Sequence, residues 1–106
     1  MRDYPHPKCE DLDLARVLYA LSDPLRLGIV RQLAVEGATP CGAICSNRPK
    51  SSMSHHFRTL RDAGIIWTVV EGTVHLNNLR RDDLERRFPG LLQVILQEDT
   101  TQPRAD

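Results

Sequence analysis

Apolar positions recur along this chain with two periods, and the change between them falls at Gly64. From Asp11 onward, Leu14, Val17, Leu18 and Leu21 stand at i, i+3, i+4 and i+7, the spacing of one helix face. Ser22-Asp23-Pro24 then predicts a restart, with Asp23 as N-cap and Pro24 at the first helical position. The next helix carries Leu25, Ile29 and Leu33 on one row, with Val30 and Ala34 beside it, and ends at Gly37. Thr39-Pro40 repeats the signature of cap and first-turn proline, which predicts a short helix over 41–46. Asn47-Arg48-Pro49 is a turn into a helix over 50–64, where Met53, Phe57 and Leu60 form one apolar stripe. Gly64 suits the left-handed residue that stops such a helix. Two helices joined by so short a turn form a helix-turn-helix.

Beyond Gly64 the residues turn β-branched and aromatic. Ile65 to Val70 and the alternating Thr73-Val74-His75-Leu76-Asn77 predict a hairpin turning at Glu71-Gly72. Asn78 is the expected cap of a further helix bearing Leu84 and Phe88, which Pro89 interrupts. Leu91, Leu92 and Ile95, widened by Val94 and Leu96, mark the last helix. The predicted fold class is mainly α with a small β-hairpin, in the element order of a winged helix. Residues 1–10, with two prolines, are expected to be a flexible arm. Residues 11–97 form the folded domain, and 98–106 a polar tail.

The 50–64 helix has an unusual polar side. Ser51, Ser54, His55, Arg58 and Asp62 lie roughly opposite the stripe. Small hydroxyls allow close approach to a duplex, and longer side chains reach base edges and phosphates. Arg58 is a candidate for guanine O6/N7 or for a phosphate, and Ser54 and His55 for base edges. Arg48, Lys50, Ser51 and Ser52 are candidates for phosphates near the helix N-terminus, where the dipole helps. His56 falls at the edge of the stripe and is expected to be packed and hydrogen-bonded rather than a base reader.

The whole chain of 106 residues has zero net charge, which alone speaks mildly against nucleic acid. Its distribution speaks the other way. Residues 40–70 hold four cations against one anion, a net of +3, while 1–39 carry −1 and 71–106 carry −2. A chain this short is one domain and is marginal alone, so association into a dimer is expected. It has no apolar run near 20 residues, and its first residues are not an apolar signal segment, so a cytoplasmic location is expected and no membrane partner.

Ala20-Leu21-Ser22-Asp23-Pro24-Leu25-Arg26-Leu27, followed by Ser-x-x-Ser-x-His-Phe-x-x-Leu-x-x-Ala-Gly-Ile over 51–65, resembles the ArsR-type winged helix-turn-helix repressors. The likeness spans roughly residues 12–96. It implies a homodimer built from the first and last helices, here Leu14, Val17, Leu18, Leu21, Leu91, Leu92 and Ile95. It also implies double-stranded DNA as partner, in the form of an imperfect palindrome read by two helices about 34 Å apart. Basic wings are common in such proteins. The hairpin here departs from that pattern, with Val70-Glu71-Gly72-Thr73-Val74 and only His75 as a candidate cation.

Many relatives release DNA on binding a metal or metalloid, and others respond to thiol oxidation. This chain lacks a Cys-X-Cys pair on the short helix and any His on the last helix. Cys41 and Cys45 stand at i, i+4, and with Cys9 and His6 they are the candidates for a soft transition-metal or metalloid site. Inert cysteines with no cofactor, a redox switch and a metal site all remain open readings of these residues. No glycine-rich phosphate loop or HExxH occurs, and no arrangement singles out a nucleophile and base, so an enzyme is not expected. The competing reading is a protein-interaction module on the same scaffold, its basic middle third facing an acidic partner.

Overall fold

Asp23 determines where the second helix starts. Its carboxylate accepts the N–H groups of Leu25 (2.7 Å) and Arg26 (3.3 Å), and Pro24 takes the position that needs no donor. Burial pushes the Asp23 carboxyl up, but those two bonds, the Arg26 guanidinium and His56 together hold it below the ordinary carboxylate range. The cap is therefore intact above that range and is lost only as pH falls through the lowered titration. The computed structural model describes residues 4–45 and 49–99, and for Cys45, Lys50 and residues 97–99 the backbone only. The expected turn at 46–48, Arg48 within it, and the tail from residue 100 lie outside the described residues.

Among the described residues, a 3-10 turn at Cys9–Asp11 precedes α1 (Leu14–Leu21), α2 (Pro24–Glu36), β1 (Thr39–Pro40), α3 (Cys41–Cys45) and α4 (Lys50–Asp62). Next come β2 (Ile66–Glu71), β3 (Val74–Leu79), α5 (Arg81–Arg87) and α6 (Leu91–Asp99). Asp13 caps α1 by accepting from the Arg16 N–H. α4 ends in a Schellman turn. The Gly64 N–H reaches the Arg61 carbonyl, the Ile65 N–H reaches the Leu60 carbonyl, and Gly64 has φ +82°. A Cβ on Gly64 would run into the Leu12 side chain. Gly64→Ala is therefore expected to lower unfolding stability by about 1–3 kcal/mol, from a left-handed alanine plus that contact. Urea denaturation measures this, and an unmoved midpoint would mean that Leu12 gives way and the turn relaxes.

The core joins one side of every long element. Val17, Val30, Leu33, Met53, Leu60, Ile65, Ile66 and Leu84 are fully buried. The sheet lies at one side of this core, with strand order β1-β3-β2 and all pairs antiparallel. A buried polar knot ties its three strands. The Thr68 hydroxyl donates to Asn77 Oδ1 (2.7 Å), and the Asn77 amide donates to the Thr39 carbonyl (3.3 Å) and to Cys41 Sγ (3.2 Å).

Four expectations are corrected. Thr39-Pro40 does not cap a helix. It forms a third strand on β3, with Thr39 opposite Asn77, and the Thr39 hydroxyl turns back to the Gly37 carbonyl. The hairpin turns at Gly72-Thr73, one residue later than expected, because Glu71 pairs with Val74. Asn78 lies inside β3 rather than capping α5, which starts after Arg80 without a side-chain cap. The arm is irregular over Tyr4 to Lys8, yet it is packed against the sheet rather than free of it.

Candidate nucleic-acid interface

α4 divides cleanly into two sides. Met53, Phe57 and Leu60 are 1%, 3% and 0% exposed and face the core. Ser51, Ser52, Ser54, His55, Arg58 and Asp62 are all exposed. Among the described residues nothing covers that flank, which is the condition for a helix to enter a groove. Arg58 Nε stands 3.9 Å from the Asp62 carboxylate one turn on, with both side chains well exposed. Such a pair is worth little and leaves the guanidinium available. Pro49 offers no side-chain cap at the start of α4. The first-turn N–H groups therefore point outward beside Ser51 and Ser52, a favourable setting for a phosphate. The Ser52 hydroxyl donates back to the Pro49 carbonyl (3.3 Å) and would have to turn from it to donate to a phosphate. The Lys50 side chain and all of Arg48 lie outside the described residues.

His56 takes the packed role expected of it. It is half-buried, and Arg26 Nη1 stands 3.1 Å from its Nδ1. A guanidinium can only donate, so a hydrogen bond here requires Nδ1 to accept. Arg26, 5% exposed, also donates Nε to the Ala20 carbonyl at the end of α1 (2.7 Å). One buried arginine thus ties α1, α2 and α4 together behind the exposed flank. Arg61, on the half-buried side of α4, lies under the Tyr4 ring, its guanidinium carbon 3.9 Å from the ring centre. Burial pulls its titration down, while Tyr4, Cys41 and Asp62 oppose that.

The expected dimer residues separate into two groups. Val17 and Leu92 are spent in the protomer's own core, at 0% and 6% exposed, and are corrected to core residues. Leu14 and Leu18 on α1 remain 44% and 48% exposed, and Val94 on α6, outside the expected set, is 67% exposed. Leu21, Leu91 and Ile95 are half-buried between these groups. α1 and α6 both pack on α2, and Arg31 on α2 holds the Ile95 carbonyl through Nε and Nη2.

The metal candidates are not brought together. His6 is stacked on Trp67, Cys9 faces the Asp83 carbonyl (3.8 Å), and Cys41 accepts from Asn77. Among the described residues, no three of His, Cys, Asp or Glu are grouped closely enough to hold a metal ion. The Cys45 side chain lies outside the described residues. Desolvation, then the hydrogen bond with Asp83, push the Cys9 thiol up, which leaves less thiolate for a metal or an oxidant. Sequence reasoning missed the arm. Tyr4-Pro5-His6-Pro7 carries a readable signal, since prolines favour extended backbone, which here sets two rings inward on alternate positions.

Comparison with known proteins agrees with this geometry. A helix-turn-helix domain family matches residues 21–69, from the end of α1 into β2. The uncharacterized HTH-type transcriptional regulator YceK of Bacillus subtilis is 36% identical over 89 residues, which are 81% of this chain and 89% of that protein. The HTH-type transcriptional regulator CmtR of Mycobacterium tuberculosis is 34% identical over 92 residues, covering 85% and 77%. A solution structure from Mycobacterium bovis, of a homodimeric winged helix-turn-helix DNA-binding domain described as a possible ArsR-family regulator, superposes with a TM-score of 0.67. It is 28% identical and covers 100% of this chain and 99% of that one. An exposed hydrophilic flank on a three-stranded winged scaffold, with these relatives across most of its length, makes the chain a member of the ArsR-type winged helix-turn-helix family of DNA-binding transcriptional regulators.

Proposed function

We propose that this chain is a cytoplasmic, non-enzymatic repressor that binds an imperfect DNA palindrome as a homodimer. The observation that carries this reading is the uncovered hydrophilic flank of α4 above a fully buried apolar stripe. Arg58, Ser54 and His55 read base edges, while the α4 N-terminus with Arg48, Lys50, Ser51 and Ser52 holds phosphates. The wing tip, Glu71-Gly72-Thr73, has no cation, so the major groove supplies the specificity. Selection of bound fragments from a random DNA pool tests the reading, with recovery of a two-fold symmetric site as the expected result. Enrichment of nothing, together with binding to an acidic protein, would favour the interaction-module reading instead.

The dimer uses the exposed apolar residues of α1 and α6. Leu14, Leu18 and Val94 are large, apolar and exposed among the described residues, and they need a cover. The Mycobacterium bovis domain, described as homodimeric, supports dimerisation here. Leu18→Glu is expected to yield monomers in sedimentation velocity and to lose palindrome binding while keeping its helical circular dichroism. A variant that sediments as a dimer would move the interface elsewhere. A soft-metal response through His6, Cys9 and Cys41 would require the arm to leave the sheet, since the fold commits each to a different neighbour.

A further inference from the structure

The arm from Tyr4 to Leu12 touches three parts of the interface scaffold, α4, β2 and β3. Among the described residues β2 is an outer strand of the sheet, so one of its edges has no strand partner. Unpaired edge donors need a cover, and here the Thr68 N–H donates to His6 Nε2 at 2.9 Å. The same imidazole lies flat on Trp67, with centroids 3.9 Å apart and an interplanar angle of 11°. Arg80 secures the arm one residue on. Its Nη1 donates to the Pro7 carbonyl (2.9 Å), and its guanidinium sits 5.0 Å from the Trp67 ring centre. Asp83 neutralises that buried arginine at 2.9 Å.

Tyr4 carries the chain of contacts into the reading helix. Its hydroxyl is hydrogen-bonded to His75 Nδ1 on β3 at 2.7 Å, and its ring lies against the Arg61 guanidinium of α4. At the other end of the arm, Leu12 is buried against Gly64, the residue that ends α4. The arm therefore bridges the C-terminal turn of α4, the outer edge of β2 and the face of β3. A two-stranded hairpin is marginal without such support, and β1 braces only the β3 side.

We propose that residues 4–7 are an intramolecular clasp that fixes the wing against the reading helix, with Tyr4 and His6 as positioning residues for DNA binding. The proposal rests on α4 being the DNA-reading element. The role needs no DNA contact from either side chain. They act through Arg61 and Trp67, by holding the angle at which α4 and the hairpin meet the duplex.

The full chain tests this, with the selected operator and a scrambled duplex as probes. Trp67 is the one tryptophan, so its emission reports the clasp directly. His6→Ala is expected to change Trp67 emission, to speed amide exchange at Thr68 and to weaken operator binding about three- to tenfold, the size of coupling that such non-contacting residues carry. Tyr4→Ala is expected to weaken binding to a similar extent. His6→Gln retains an acceptor for the Thr68 N–H and should recover most of the affinity, as Tyr4→Phe should by keeping a ring over Arg61. A role limited to stability would lower the melting temperature and leave operator affinity unchanged well below it. That result, with Trp67 emission altered, overturns the positioning role, and unaltered emission in His6→Ala overturns the clasp itself. Failure of the wild-type chain to bind any duplex overturns the reading of α4, and the clasp's role falls with it. Wild-type binding with unweakened Ala variants overturns the clasp alone.

Discussion

Arg58→Ala is expected to erase the preference for the operator over unrelated DNA while leaving the fold intact. The side chain is 75% exposed, and its ionic neighbour one turn on, Asp62, is exposed too. An ion pair of that kind contributes little, so its loss should barely move an unfolding midpoint. The cost appears in binding. A guanidinium paired with guanine O6 and N7 discriminates by about 1–3 kcal/mol, or roughly 5- to 150-fold, at each half-site. Anisotropy titrations with operator and scrambled duplex at several salt concentrations distinguish the two roles open to Arg58. Loss confined to the operator marks a base contact. An equal loss on both duplexes, with a salt slope shallower by about one, marks a phosphate contact. Unchanged operator affinity would remove Arg58 from the interface.

Those features of the interface that depend on neighbours a few residues apart were legible in the chain. Met53, Phe57 and Leu60 at helical spacing point one way, and the serines, His55 and Arg58 must then point the other. Asp23-Pro24 marks a helix start by local chemistry, and Gly64 marks a stop for the same reason. What could not be read depends on residues far along the chain. Thr39-Pro40 has the composition of a cap, but β3 claims Thr39 from 38 residues away through Asn77. The hairpin turn shifts by one residue because cross-strand pairing, not turn composition, decides that Glu71 faces Val74. Val17 and Leu92 show a related limit. Periodicity reveals that a helix has an apolar face, but a wide face can serve two covers. Val17 goes to the protomer's own core, while Leu14 and Leu18 on the same helix stay outside. The arm is the clearest case. Proline-rich composition suggests freedom, yet His6 finds its hydrogen-bond donor 62 residues on.

Phe57→Ala is expected to have the opposite signature to Arg58→Ala, with stability lost first and binding lost only as a consequence. α4 is polar or charged at most positions outside its stripe, so propensity alone does not hold it in place. Met53, Phe57 and Leu60 supply its grip on the body, and Phe57 has the largest side chain of the three. Truncating a buried phenylalanine costs about 3–5 kcal/mol, against a total stability for a small domain of about 5–15 kcal/mol. Urea denaturation followed by circular dichroism should show a midpoint far below that of the parent chain, and apparent operator affinity should fall with the folded fraction. Ser54→Ala, three residues earlier and on the outward flank, is the matched control: near-parental stability with weakened operator binding. The pair locates the boundary between what anchors this helix and what it reads. A Phe57→Ala protein as stable as its parent would mean that the stripe is not seated in the core, and the outward flank would lose the scaffold that orients it.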